Sequence, residues 1–379
     1  MRRFHVALSA FVLLLGTQSM VAVTQTFFVG GCRIGAFSSI SAAVAAVPPG
    51  SIVNVCAGIY SEQVVISQAL TLQGIFDDNS TQVVLTIPSG GLKTTSSINI
   101  GTISAQIQVT AGPVNISNIT VDGFASGANC PSGNYVGIFY SSGSSGKVNE
   151  VETRGQSCNP NGFGIGIVAE NTAGAAQSVT IQNSNVHDFS GFGIETCSDQ
   201  TPATLTANIK GNLVSNNLPN SNPGIVNNCN EAAAVSGNTI VGGHVGIFAF
   251  SPSGLVSGNI VTDASDGILL GDATASGNTI VNASNGIVTV QSGTGTATSN
   301  RILNSTNMGI LLNGSSSFTV KNNMIIGGPG SIGIEFQCFS GNTVGGNIMN
   351  GVYKGLDFVP ATYNGVNSFN NVTIVRQGC

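Results

Sequence analysis

Apolar and polar residues alternate along this chain in short runs, and the runs keep returning behind one phrase, Gly followed by Ile. The phrase stands at Gly137-Ile138, Gly166-Ile167, Gly193-Ile194, Gly224-Ile225, Gly246-Ile247, Gly267-Ile268, Gly286-Ile287, Gly309-Ile310 and Gly333-Ile334, with Gly355-Leu356 closing the series. The intervals are 29, 27, 31, 22, 21, 19, 23, 24 and 22 residues, so the later part is the more regular. Repeats of this length, rich in β-branched residues and in Gly and Asn turns, predict a solenoid in which each repeat is one coil of short strands. A second phrase, Ser-Gly-Asn, stands at 236–238, 257–259, 276–278 and 340–342. Gly supplies a tight or left-handed corner there, and Asn tolerates that conformation and can stack its amide on the Asn of the coil above.

The first hundred residues carry the same logic less regularly. Phe37 to Val47 puts Ile40, Val44 and Val47 on one face at helical spacing, with Ser38 or Ser39 as N-cap and Pro48-Pro49 as the stop. An open solenoid end needs covering, so this short helix is expected to be the N-terminal cap. Residues 51–74 read as three strands broken at 56–58 and near 67–68, whereas residues 75–113 read as an excursion from the coils. The ladder restarts at Asn115 to Gly123, is clearest over 115–359, and fades into a C-terminal cap at 360–379. One elongated domain over 24–379 is expected.

Ahead of it, Met1-Arg2-Arg3 and the apolar run Val6 to Leu15 have the form of a secretory signal peptide, ending near residue 23 and too short to span a bilayer. No later run has the length of a membrane span. Export suits the cysteines, eight in number and all beyond that leader. Residues at equal phase in successive coils lie about 4.8 Å apart. Cys130 and Cys158 fall seven and eight residues before their Gly-Ile phrases, and Cys197 and Cys229 fall four and five after theirs. This pairs Cys130 with Cys158 and Cys197 with Cys229. Cys32–Cys56 would staple the N-terminal cap and Cys338–Cys379 the C-terminal tail. Charged residues are only 7% of the chain. Without Arg2 and Arg3, nine basic residues stand against sixteen acidic ones, a net charge of −7. There is no basic cluster, which argues against a nucleic-acid partner.

With these repeats the chain resembles secreted proteins of the right-handed parallel β-helix, or pectin-lyase-like, superfamily that carry generic parallel β-helix repeats, over Phe37 to about Val359. The resemblance implies an all-β, single-stranded, right-handed parallel β-helix and a polysaccharide partner, with catalysis undecided. Gly58-Ile59-Tyr60-Ser61-Glu62 is similar to the Gly-x-Tyr-x-Glu first-coil segment of pectin methylesterases, but the aspartate, glutamine and arginine motifs of those esterases are not in the chain. Polygalacturonase motifs occur only as the fragments Asp77-Asp78, Gly243-His244 and Arg301-Ile302. His187-Asp188 matches the last two residues of the Asp-Pro-His-Asp motif of mannuronan epimerases, and offers a general base with its orienting carboxylate.

Repeat phase gives a further candidate. If the Ile of each phrase points inward, the next residue points outward. That column reads Val168, Glu195, Val226, Phe248, Leu269, Val288, Leu311, Glu335, Asp357. Glu335 and Asp357 would stand in adjacent coils with Lys354 beside them, as an acid and base pair or a calcium chelate. The Asp263, Asp266 and Asp272 group is a second place where calcium is considered. Phe248, Leu269, Val288 and Leu311 form an apolar stripe that is either covered by a loop or a ligand face. Three roles follow for the exported protein: polysaccharide recognition, an enzyme acting on a uronic-acid polymer, or a structural scaffold. Metal and oligomeric state are left open.

Overall fold

The computed structural model describes residues 24–76, 82–124, 133–157, 163–199, 204–216, 222–314 and 317–379. Strands of three to nine residues turn corners and stack into three long parallel sheets, the right-handed parallel β-helix of pectin-lyase-like proteins. The first sheet runs from Thr26–Val29 to Thr343–Gly345 and the second from Gly58–Ser61 to Ser368–Asn370, with 13 strands each. The third has 14, 13 of them stacked from Val64–Ile66 to Ile374–Gly378 and one, Thr94–Ser97, off that path and antiparallel.

Alternation puts every second residue of a strand inside, and parallel register stacks like on like. The first sheet's inner column reads Ile181, Ile209, Val235, Val256, Ala275, Ala297, Val320 in adjacent coils. In the third sheet the column is the Ile of the Gly-Ile phrase, from Ile138 to Ile334 and on to Leu356. Most of these side chains are wholly buried in one continuous core.

The glycine of the phrase has a steric cause. A Cβ on Gly267, Gly286 or Gly309 would lie 2.5 Å from a methyl of Ile280, Ile302 or Ile325 of the second sheet, and 2.5–2.7 Å from the carbonyl of the next glycine in the column. The second and third sheets meet too closely there for any side chain. The 29-residue interval contains residues 158–162 and the 31-residue interval residues 200–203 and 217–221, which lie outside the described residues.

At the corner between the first and second sheets, Asn238, Asn259 and Asn278 form a buried ladder. Each Oδ1 accepts the backbone N–H and the side-chain amide of the Asn above, at 2.9–3.0 Å, and each Nδ2 also donates to a backbone carbonyl. Asn300, Asn323, Asn347 and Asn367 continue it. Gly237, Gly258 and Gly277, one residue earlier, all have φ near +60°. The phrase at 340–342 behaves otherwise. It precedes the first-sheet strand Thr343–Gly345 instead of following one, and Asn342 accepts only from the Phe318 N–H. The same three residues at a different corner do a different job.

The N-terminal helix is Ile40–Ala46, with Ser39 as N-cap and Ile40, Ala43 and Val44 buried. Residues 51–75 hold four strands where the alternation suggested three. The extra break falls at Glu62-Gln63, where the Glu62 carboxylate turns aside to accept the N–H groups of Ile40 and Ser41, both at 2.8 Å, and the Ser41 hydroxyl at 2.5 Å. Tyr60 donates to the Cys56 carbonyl at 2.8 Å. Tyr60 and Glu62 thus fasten the first coil to its cap. In the excursion, Thr94–Ser97 folds back antiparallel on Gly101–Val109 and lies over the third sheet. Disulfides join Cys32 to Cys56, Cys197 to Cys229 and Cys338 to Cys379, with Cα separations of 5.8, 4.9 and 5.8 Å. The Cys130–Cys158 expectation lies outside the described residues.

Candidate functional site

Three consecutive coils of the second sheet, at Thr120–Asp122, Glu152–Arg154 and Asn185–His187, point their first and third residues outward. Register therefore stacks Thr120, Glu152 and Asn185 in one column and Asp122, Arg154 and His187 in the next. In a chain with so few charges this is a concentrated array. The Arg154 guanidinium meets Asp122 Oδ2 through Nη2 at 2.8 Å and Nε at 3.0 Å, and reaches Glu152 at 3.4 Å. Glu152 also accepts from Thr120 Oγ1 at 2.9 Å. His187 sits between two carboxylates, with Nε2 3.0 Å from Glu152 and Nδ1 2.7 Å from Asp188. Asp188 is placed for this by a left-handed backbone, φ 56°, at the corner after the strand.

Asp122, Glu152, Arg154, His187 and Asp188 are partly open to solvent, between 15% and 31%, whereas Thr120 is buried. Burial pushes the Glu152 carboxyl upward, but the bonds from His187 and Thr120 and the Arg154 charge outweigh it and hold it below the usual carboxylate range. Burial lowers Arg154, and its bonds and charges with Asp122 and Glu152 more than reverse that. A cleft of about 60 Å³ beside Glu152 is lined by Phe76, Gln82, Asn118, Ile119, Thr120 and Glu150. The array presents carboxylate acceptors, a guanidinium fork and an imidazole braced from both sides, a set suited to hydroxyl-rich ligands and to proton transfer.

The same face changes character farther along. The Glu152 column continues through Leu213, Thr239, Ile260, Thr279, Arg301 and Met324 to Ile348. Leu213, Ile260, Met324 and Ile348 are exposed aliphatic residues. A charged patch thus runs into a column of about 29 Å at the inter-strand spacing, in which exposed apolar residues are interspersed with Thr239, Thr279 and Arg301.

The residues singled out from sequence are distributed as follows. His187 and Asp188 stand in the array. Glu335 and Asp357 are opposed in register on the third sheet, but both are buried, at 7% and 1% exposure. Lys354 is committed to Asp357 at 2.8 Å. Burial first and the Asp357 charge second push the Glu335 carboxyl up. Phe248, Leu269, Val288 and Leu311 stack in the expected column. Val288 is buried and the others are half-buried, with Phe248 stacked on Phe250 at 4.3 Å. Asp263 and Asp272 lie at bends and Asp266 opens the strand Asp266–Leu270, and they accept from Asn282, Thr294 and Asn285 respectively. Among the described residues no three His, Cys, Asp or Glu side chains are grouped to hold a metal ion. Asp122, Glu152 and Arg154 were not anticipated. Lining up the second sheet by phase, as was done for the third, would have put Asp122, Arg154 and His187 in one column.

Residues 205–377 match the family model described as periplasmic copper-binding protein (NosD), which is under half of the chain. The donors there do not suit copper, which favours thiolate, thioether and imidazole. In that stretch His244 is the one histidine, Cys229 and Cys338 are in disulfides, Met349 is wholly buried in the core, and the accessible thioethers of Met308 and Met324 lie on different sheets. No curated protein sequence matches the chain. Among solved structures it is similar to the Dettilon tailspike protein, at 14% identity and a TM-score of 0.50 over 79% of this chain, and it spans 60% of the tailspike's length. It is similar to a lacto-N-biosidase from Eubacterium ramulus, at 12% identity and a TM-score of 0.54, covering 93% of this chain and 68% of that one. It is also similar to the periplasmic alginate epimerase AlgG, at 13% identity and a TM-score of 0.52, covering 90% and 84%. At these identities the likeness is one of fold.

Proposed function

We propose that this is an exported protein that recognises a polysaccharide along the outward face of its second sheet. The observation that carries the proposal is the array itself: in a chain with 7% charged residues, Asp122, Glu152, Arg154, His187 and Asp188 converge on three coils of one face. Sugar hydroxyls pair with carboxylates and the guanidinium fork, and the exposed aliphatic residues of the neighbouring column suit the C–H faces of an extended chain. The names of the similar structures, a biosidase and an alginate epimerase among them, support a glycan partner. Export is supported by three disulfides, by the leader-like Met1 to Leu15 segment, and by the word periplasmic in the matching family's description.

One observation favours a second reading, catalysis on the same polymer: His187 bonded to Asp188 has the form of an oriented general base. A single experiment addresses both. The purified protein is offered a panel of pectins, alginates and related polyuronides, with and without calcium, and scored for binding and for product release. Recognition predicts binding that Arg154→Lys weakens about tenfold, since an ammonium cannot reproduce the fork. Catalysis predicts product release that His187→Gln abolishes while binding persists. Silence across the panel overturns both and leaves a structural scaffold.

A further inference from the structure

The segment 94–101 crosses the outside of the third sheet, away from the array. Its tip is fastened to two glutamates far along the chain. Ser97 Oγ donates to Glu170 at 2.5 Å, the Ile98 N–H donates to Glu170 at 3.3 Å, and Asn99 Nδ2 donates to Glu195 at 2.6 Å. Asn134 Nδ2 holds the Ile100 carbonyl at 2.8 Å. Beneath lies a second apolar cluster outside the solenoid interior, Ile103, Val136, Phe139, Ile165 and Val168, with Ile100 and Phe192 packed on it. Thr94–Ser97 pairs antiparallel with Gly101–Val109 off the path of stacked coils, which places the segment as a cover and not as a rung of the solenoid.

The fastening is unusual in its charge. Glu195 is 2% exposed, its Oε1 has Asn99 as partner, and its Oε2 has none. The charged groups that act on it are Glu170 from the neighbouring strand and Glu231 from the following coil, with Asp199 acting on Glu170. All are acidic. An anionic Glu195 would be buried with one hydrogen bond, among like charges and without a counter-ion, an arrangement proteins avoid.

We propose that residues 94–101 form a pH-released strap, closed over the apolar patch while Glu195 is neutral and lifted when Glu195 becomes anionic. Burial, and then the Glu170 charge, push the Glu195 carboxyl up to about 8, and Glu170 is also raised, chiefly by burial. The sign follows by linkage: a carboxyl raised on closure stabilises the closed form fully below its ordinary value. That contribution is lost as pH climbs through about 8.

The test is hydrogen–deuterium exchange of the whole protein between pH 5 and 9, corrected for the intrinsic rate, with binding of an apolar dye in parallel. Protection over 94–101 is expected to fall at least tenfold as pH rises from 5 to about 8 and to level off above that, while dye binding rises. In Glu195→Gln, neutral at that position at every pH, the fall in protection and the rise in dye binding are expected to shrink to what Glu170 alone contributes. Asn99→Asp, on the exposed tip where it does not burden the coils, adds a carboxyl to the latch and is expected to move opening to lower pH. Constant protection in the parent, an unchanged transition in Glu195→Gln, or an Asn99→Asp profile identical to the parent each overturns the proposal.

Discussion

At the scale of single residues, two columns carry the repeat, and each makes a prediction. Gly286→Ala would put a methyl 2.5 Å from both the Gly309 carbonyl and an Ile302 methyl, neither of which can retreat without moving a sheet. It is expected to lower stability by about 3 kcal/mol, read from denaturant unfolding. Gly174→Ala, where nothing lies within 4 Å, is the control and should be close to neutral. Asn278→Ala removes an amide whose oxygen serves the Asn259 N–H and Nδ2 and whose nitrogen serves Val256 and Asn300. Its loss strands a buried N–H and is expected to cost about 3 kcal/mol in the same measurement. Both columns were visible in the sequence because like residues recur at like phase. Their causes were not. The glycine answers to an Ile on another sheet, a distance that no spacing within the chain reports. Asn342 shows the converse, an identical phrase with no ladder, because the phrase does not encode which corner it occupies.

At the scale of elements, the helix Ile40–Ala46 was legible from its apolar face and its serine cap. What was not legible is that its start is held by Glu62 from the first coil, a contact across more than twenty residues. Glu62→Ala is expected to cost about 2 kcal/mol through loss of charge-assisted bonds to three donors. It should also loosen the cap, seen as faster amide exchange at residues 40–46. The array illustrates the same limit. His187-Asp188 announced itself as a local pair, whereas Asp122 and Arg154 are far apart in sequence. They meet only because the chain returns to one register after 32 residues, and to His187 after 33 more. Glu335 and Asp357 stand opposed in register as their phase implied, but phase says nothing of burial, and both are buried.

At the scale of the whole molecule, stability has a pH signature. Glu231 is wholly buried inside the coils and pushed up to about 7, first by burial, and Glu195 to about 8. Groups raised on folding stabilise fully below their ordinary value and cease to do so as pH passes the folded one. The melting temperature is therefore expected to be higher at pH 5.5 than at pH 8.5, and Glu231→Gln should flatten the slope. The architecture was the most legible level of all, since one apolar column repeated ten times leaves little choice of fold. The Asn ladder carries a further implication. Successive rungs are interchangeable: Gly258 is followed by Asn259 and Gly277 by Asn278, in the same corner and with the same partners, 19 residues apart. Excising 259–277 would splice one rung onto the next with every donor still matched, and the rod would shorten by about 4.8 Å. Such a protein is a ruler, graduated in whole coils, whose length can be extended or trimmed by unit steps without redesigning its interior.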